Sequence, residues 1–342
     1  MSIKSNEPVD PCETSKGERS LLDVSNLYVE YLTPRGPAKA VNDVSFCITE
    51  GQVFGLAGES GCGKSTIAHA ILRTLRPPAV ITGGQVLFAG QDVLKMNDSE
   101  LEDFRWARVS MVFQSAMNSL NPVISVGEQI DDVLIRHNRY TPRQARERSA
   151  ELFKIVGIES ARLRSFPHQM SGGMRQRVVI AIALALNPDL MIMDEPTTAL
   201  DVVVQKDILQ QIQTLKDTMG FSILFITHDV SLMVEFSDHM AIMYAGEIVE
   251  KASAREIFSN PIHPYTQGLL SSFPSISGTK RKLTGIPGSP PDLVNPPKGC
   301  KFHPRCTRCT HKEDEITPIL TEVLPGHWVA VHAGMPLPGH AA

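Results

Sequence analysis

The sequence predicts an α/β fold: a mostly parallel sheet covered on both faces, an inserted helical subdomain and a small irregular C-terminal domain. Three observations predict it. Short apolar runs at Gln52–Ala57, Arg108–Phe113, Leu190–Asp194, Ser222–Ile226 and His239–Tyr244 read as buried strands separated by helix-length segments. A glycine-rich loop leads from the first of these runs into a helix at about Lys64–Leu75. Between Ser125 and Ile158 the alternation stops and the pattern turns helical, with charged faces such as Arg143-Gln144-Ala145-Arg146-Glu147-Arg148.

Taken in order, residues 1–19 are polar, contain two prolines and read as a disordered leader. Strands are expected at Leu21–Tyr31 and Ala40–Ile48, separated by the turn-forming Thr33-Pro34-Arg35-Gly36-Pro37. The main domain spans 20–257, with the helical subdomain at about 115–185 and the apolar helix Val178–Leu186 inside it. Residues 258–342 form the C-terminal domain. Its prolines between Asn260 and Lys298, among them Pro287, Pro290, Pro291, Pro296 and Pro297, cannot sit inside regular elements.

Composition excludes several classes. The 342 residues carry 33 Lys+Arg against 37 Asp+Glu, a net charge of −4, and aromatics are 6%. Neither a basic excess nor stacking platforms are available, so no nucleic-acid partner is expected. The longest apolar run, Val178–Leu186, is far short of the roughly 18 to 20 residues of a membrane-spanning helix. The charged first twenty residues have no apolar core, which predicts no signal peptide and a cytoplasmic chain. Six cysteines in such a chain are expected as reduced thiols, with Cys300, Cys306 and Cys309 bunched as a candidate metal or cluster site.

Gly58-Glu59-Ser60-Gly61-Cys62-Gly63-Lys64-Ser65-Thr66 fits G-x-x-x-x-G-K-[ST] and lies between a strand and a helix, as the mechanism requires. The glycines let the backbone curl so that N–H groups converge on phosphate oxygens, and the helix N-terminus adds its dipole. Lys64 offers a point charge to the β- and γ-phosphates, and the Ser65 hydroxyl a ligand to Mg²⁺. Cys62 is expected to pack against its loop neighbours rather than react.

Two adjacent carboxylates end the apolar run Leu190-Met191-Ile192-Met193-Asp194-Glu195. In a packed interior they are costly without a cation or polar contacts. Asp194 is expected to hold Mg²⁺ through water, and Glu195 to polarise a water attacking the γ-phosphate. Between loop and carboxylates lies Met170-Ser171-Gly172-Gly173-Met174-Arg175-Gln176-Arg177. Ser171 followed by two glycines at a helix start can bind an anion, or serve as an ordinary cap and turn.

Together these residues resemble the ATP-binding cassette family over roughly residues 21–255. The phosphate loop comes first, then Gln114 after a strand, Ser171-Gly172-Gly173-Met174-Arg175-Gln176, Asp194-Glu195, Ala199-Leu200-Asp201, and His228 after a further strand. Met174 stands where many members have Gln. The resemblance implies that this is an ATP hydrolase. It makes Gln114 the residue of the family's Q-loop, a catalytic residue and Mg²⁺ ligand, Asp201 that of its D-loop, and His228 a catalytic contact to the γ-phosphate. By the same analogy Tyr31 stacks on adenine. In such proteins ATP is clamped between the phosphate loop of one cassette and the Ser171-type signature of a second, so a paired cassette is implied. The segment at about 115–165 is then expected to carry motion to a membrane partner.

Asn260-Pro261-Ile262-His263-Pro264-Tyr265-Thr266, Gly285-Ile286-Pro287-Gly288 and Gly299-Cys300-Lys301-Phe302-His303-Pro304-Arg305-Cys306 resemble the C-terminal extension of oligopeptide and dipeptide importer ATPases. That subfamily also includes nickel and some oligosaccharide importers. The resemblance implies a D-type subunit at the cytoplasmic face of the bacterial inner membrane, paired with a non-identical ATPase. It further implies two transmembrane permeases and an extracytoplasmic substrate-binding protein. Some relatives hold an iron–sulfur cluster on tail cysteines. Here Cys300 and Cys306 match, Cys309 follows closer than the usual third ligand, and Glu313 and Val331 stand where the third and fourth are expected. Three readings remain: iron–sulfur with an outside ligand, zinc with His303 or His311 as fourth ligand, or a tail that folds without metal.

Overall fold

The computed structural model describes residues 19–113, 119–137, 140–197, 200–272, 285–308 and 316–331. Among these residues the strands are β1 (Ser20–Thr33), β2 (Gly36–Thr49), β3 (Val53–Ala57), β4 (Ala79–Phe88), β5 (Gln91–Asp92), β6 (Val109–Val112), β7 (Leu190–Asp194), β8 (Ser222–Thr227), β9 (His239–Tyr244), β10 (Glu247–Ser253), β11 (Ile319–Leu324) and β12 (His327–Val331). The helices are α1 (Lys64–Ile71), α2 (Asp98–Phe104), α3 (Val126–Arg136), α4 (Pro142–Ile155), α5 (Gly172–Ala183), α6 (Val202–Met219), α7 (Val230–Phe236), α8 (Ala254–Ser259) and α9 (Pro264–Ser271).

The larger sheet runs β11-β12-β10-β9-β3-β8-β7-β6, and the smaller one β2-β1-β4-β5. Parallel pairing is confined to the stretch β9-β3-β8-β7-β6. The β9–β10, β10–β12 and β11–β12 pairs are antiparallel, as is the whole smaller sheet. The mostly parallel expectation therefore describes the centre. It omits an antiparallel edge and a second sheet, because polar residues or glycines interrupt the apolar runs of β4, β10 and β11, and β12 is a short run inside a tail expected to be irregular.

The central strands are apolar on both faces because each face meets its own core. On β8, Ile223 and Phe225 belong to the core shared with α3, α4, α5 and α6, while Leu224 and Ile226 face the core shared with α1 and the smaller sheet. β7 alternates likewise, with Met191 and Met193 on one side and Leu190 and Ile192 on the other. The helical insertion is locally encoded. Ser125 with Glu128, and Thr141 with Gln144, form reciprocal capping boxes at the starts of α3 and α4. Val126, Ile130 and Leu134 give α3 its buried stripe.

The described tail is irregular apart from α8, α9 and the β11–β12 hairpin, which extends the main sheet through β10. A buried polar knot fastens it. Glu250 of β10 is 0% exposed and accepts from Ile262 N at 2.7 Å, His263 N at 3.0 Å and His327 Nε2 at 2.7 Å. Removing a carboxylate that satisfies three buried donors leaves each unpaired. Glu250→Ala is therefore expected to cost about 3 kcal/mol of stability, read as a lower urea midpoint; an unchanged midpoint would contradict this anchoring.

Candidate functional site

The site lies where neighbouring parallel strands end together. β3 pairs with β8 up to Ala57 opposite Thr227, and β8 pairs with β7 up to Ile226 opposite Asp194. The segments that follow these strands (the loop from Gly58, the turn at His228 and the pair Asp194-Glu195) must therefore meet at one sheet edge. β6 ends next, with Val112 opposite Met193. Gln114, two residues beyond, lies outside the described residues, as does Ala199.

In the loop, Gly58, Gly61 and Gly63 all have positive φ, which favours glycine. Gly63 also needs its missing side chain, since a Cβ there would lie 2.1 Å from the Ala40 carbonyl oxygen. Lys64 is 6% exposed, and its ammonium donates to Gly58 O at 2.7 Å, Glu59 O at 3.0 Å and Cys62 Sγ at 3.6 Å. All three donors thus hold the loop's own curve. Burial pushes the Cys62 thiol up, against the pull of the Lys64 charge, so it stays protonated and packs. Tyr31 of β1 places its hydroxyl 3.3 Å from Thr66 Oγ1, beside the start of α1.

Asp194 is buried at the end of β7, and Ser65 hydrogen-bonds to its carboxylate. Burial, with the Glu195 charge adding to it, pushes this carboxyl up, opposed by Ser65, His69 and Lys64. Its Oδ1 has no partner within the chain. A buried carboxylate oxygen left unsatisfied beside a serine hydroxyl fits a hard divalent cation, so these two residues suit Mg²⁺.

Glu195 takes a left-handed backbone, φ +47°, held by its N–H donating to Ile226 O at 2.8 Å. Such a conformation in a non-glycine residue is sparsely populated and marks a constrained position. Its Oε1 lies 3.0 Å from His228 Nδ1, so the two side chains expected to act on the γ-phosphate are joined directly.

The signature forms the start of α5, so the helix begins ahead of the apolar run at Val178. Ser171 is exposed and caps the helix by accepting from Met174 N at 3.3 Å. Asp201 caps α6 in the same way, through Val204 N at 3.0 Å. A Cβ on Gly173 would sit 3.0 Å from Val204 Cγ1, so the two helix starts lie against each other. Ser60 is exposed in the phosphate loop, and Gly172 is the first residue of α5.

In the tail, Cys300 is buried and outside any disulfide, whereas Cys306 is disulfide-bonded. This corrects the expectation of reduced thiols throughout. A sulfur in a disulfide has no thiolate to give a metal, so the three-thiolate iron–sulfur or zinc site is not assembled here. Cys309 and His311 lie outside the described residues. The sequence reading missed Glu59, Tyr265 and Arg305 as a group. Their residue types carried no signal, because the partners stand more than two hundred positions apart.

Comparisons with known proteins agree with this geometry. Residues 41–198 match the ABC transporter family, and residues 249–312 the oligopeptide/dipeptide transporter C-terminal region. The oligopeptide transport ATP-binding protein OppD of Bacillus subtilis is 44% identical over 313 residues, 90% of this chain and 87% of that protein. The dipeptide transport ATP-binding protein DppD of Lactococcus lactis subsp. cremoris is 43% identical over 314 residues, 91% and 90% of the two chains. Among solved structures, the dimeric ATP-binding cassette MJ0796 bound to ADP and Pi has a TM-score of 0.61 at 29% identity, covering 68% of this chain and 99% of its own. The cassette cbiO1 of Clostridium perfringens has a TM-score of 0.63 at 25% identity, covering 71% and 92%. The chain belongs to the ABC transporter family, within its branch of oligopeptide and dipeptide transport ATP-binding proteins.

Proposed function

We propose that this chain is the ATP-hydrolysing subunit of an importer, driving uptake of peptides through partner permeases. The observation that carries the reading is the convergence of Lys64, Ser65, Asp194, Glu195 and His228 at the ends of β3, β7 and β8. The loop N–H groups and Lys64 bind the phosphates of ATP, and Tyr31 receives the adenine. Ser65 and Asp194, with Gln114, would hold Mg²⁺, which would supply charge neutralisation at the phosphates. Glu195 orients and deprotonates the attacking water, and His228, tethered to it, contacts the γ-phosphate.

One copy holds only half of what a composite site needs. Ser171, Asp201, Val202 and Val203 are exposed, the two valines 68% and 70% so. An anion-binding helix start flanked by exposed apolar residues is suited to covering ATP held by another cassette. The dimeric state of MJ0796 with ADP and Pi supports this arrangement. The partner is a second, non-identical ATPase, and the pair sits peripherally on the cytoplasmic face of the membrane beneath two permeases, fed by an extracytoplasmic binding protein. No helix among the described residues is long and apolar enough to cross a membrane.

Affinity purification of the tagged chain from its own membranes is expected to bring down two membrane-spanning proteins and a second cassette. Turnover of that complex is expected to rise when peptide-loaded binding protein is added. Rapid, saturable hydrolysis by the isolated monomer would overturn the composite site. Stimulation by another solute and not by peptides would overturn the substrate class.

A further inference from the structure

The tail grips the phosphate loop at one residue. Glu59 is engaged through every polar group it has. Its N–H donates to Tyr265 Oη at 2.9 Å, its carbonyl accepts from Lys64 Nζ at 3.0 Å, and its carboxylate takes both arms of Arg305, at 2.6 and 2.9 Å. A bidentate guanidinium–carboxylate pair is the most directional of side-chain ion pairs. It is also shielded, since the Arg305 side chain is 4% exposed.

Arg305 is itself held in place. Its Nε donates to Pro287 O at 2.8 Å, and its guanidinium lies 5.7 Å from the centre of the Tyr244 ring. Tyr244, Tyr265 and Phe302 pack mutually, with centroids 4.7 to 5.4 Å apart. Lys301, from the same tail segment, reaches Ala245 O at 2.9 Å in the β9–β10 turn, and the next residue of that turn, Gly246, donates to Cys62 O at 3.0 Å. Tail residues therefore brace the loop from the outside at both Glu59 and Cys62. The face of Glu59 that remains is the carbonyl under Lys64.

We propose that Arg305 and Tyr265 are positioning residues for nucleotide: by fixing Glu59 they set the curl of the phosphate loop and the place of Lys64, so that ATP affinity depends on the tail. Without Arg305, the Glu59 carboxylate stays beside the phosphates as an unpaired negative charge, and its backbone is freer to turn. Both effects oppose phosphate binding. The inference rests on the phosphate loop being the ATP site.

The test is ATP binding to the purified full-length chain by isothermal titration, for wild type, Arg305→Met, Tyr265→Phe and the pair Arg305→Met with Glu59→Gln. Arg305→Met is expected to raise the Kd about tenfold, and Tyr265→Phe by a smaller factor of about three. Adding Glu59→Gln to Arg305→Met should recover part of the loss, since it removes the unpaired charge that opposes phosphate binding. In the assembled complex, KM for ATP should rise by more than kcat falls. A Kd within twofold of wild type in folded Arg305→Met and Tyr265→Phe, with only the melting temperature lowered, would overturn the proposal in favour of simple tail anchoring. Losses that multiply in the double variant would overturn it too. Should Arg305→Met not fold, Tyr265→Phe removes a single hydroxyl and decides alone. Absence of ATP binding by wild type would instead remove the loop assignment on which the inference stands.

Discussion

Glu195→Gln is expected to stop turnover while ATP stays bound. Glutamine keeps the shape of the side chain and an oxygen able to meet His228 Nδ1, which lies 3.0 Å from Glu195 Oε1. It also keeps the backbone anchor, because the bond from the residue's N–H to Ile226 O does not involve the side chain. What it loses is the ability to take a proton. General-base contributions of about 10² to 10⁴ in rate are usual, so hydrolysis should fall by at least about 10²-fold. Binding contacts come from Lys64, Ser65 and the loop N–H groups, none of which the change touches, so ATP affinity should stay close to wild type. The product is a complex that closes and does not reopen, visible as ATP-retaining paired cassettes on size exclusion and as arrested uptake. Normal hydrolysis by this variant would place the base elsewhere.

The site was more legible in the sequence than the fold around it, for a physical reason. Phosphate chemistry demands particular residues at particular spacings, so Gly58–Ser65, Asp194-Glu195 and His228 could be picked out one motif at a time. Their convergence is a property of topology. No spacing in the chain says that β8 lies between β3 and β7, yet that order is what puts Glu195 against His228. Buried parallel strands announced themselves by apolar runs, whereas β10 did not. Glu250 and Lys251 are both buried there, one bonded to His327 and the other lying 5.3 Å from the Trp328 ring, so long-range partners make a charged stretch fit for the interior. The helix start at Ser171 was legible, while the apolar run marked only Val178–Leu186; α5 begins at Gly172 because the Ser171 cap makes up for the weak helix propensity of Gly172 and Gly173. The tail was read for subfamily and for metal. Its bonds to Glu59, 206 and 246 positions away, follow from no local pattern.

Lys64→Ala is expected to abolish useful nucleotide binding, with the affinity for ATP falling by about 10²-fold or more. The side chain does two things that alanine cannot. It brings a buried positive charge, and it spans the loop from Gly58 O to Glu59 O, bonds of 2.7 and 3.0 Å that close the curl on itself. Losing the charge removes the main attraction for the β- and γ-phosphates. Losing the span leaves two carbonyl oxygens free to point toward the same phosphates, where they repel them. Lys64→Arg separates the two contributions. A guanidinium keeps the charge but is planar and larger, and its fork cannot occupy the compact seat that the ammonium fills among Gly58, Glu59 and Cys62. Lys64→Arg should therefore bind ATP better than alanine and well below wild type, measured by equilibrium titration on protein whose melting curve shows it folded. Equal affinity in all three proteins would mean that the ammonium has no part in holding phosphate, and the loop would have to be explained as a structural turn.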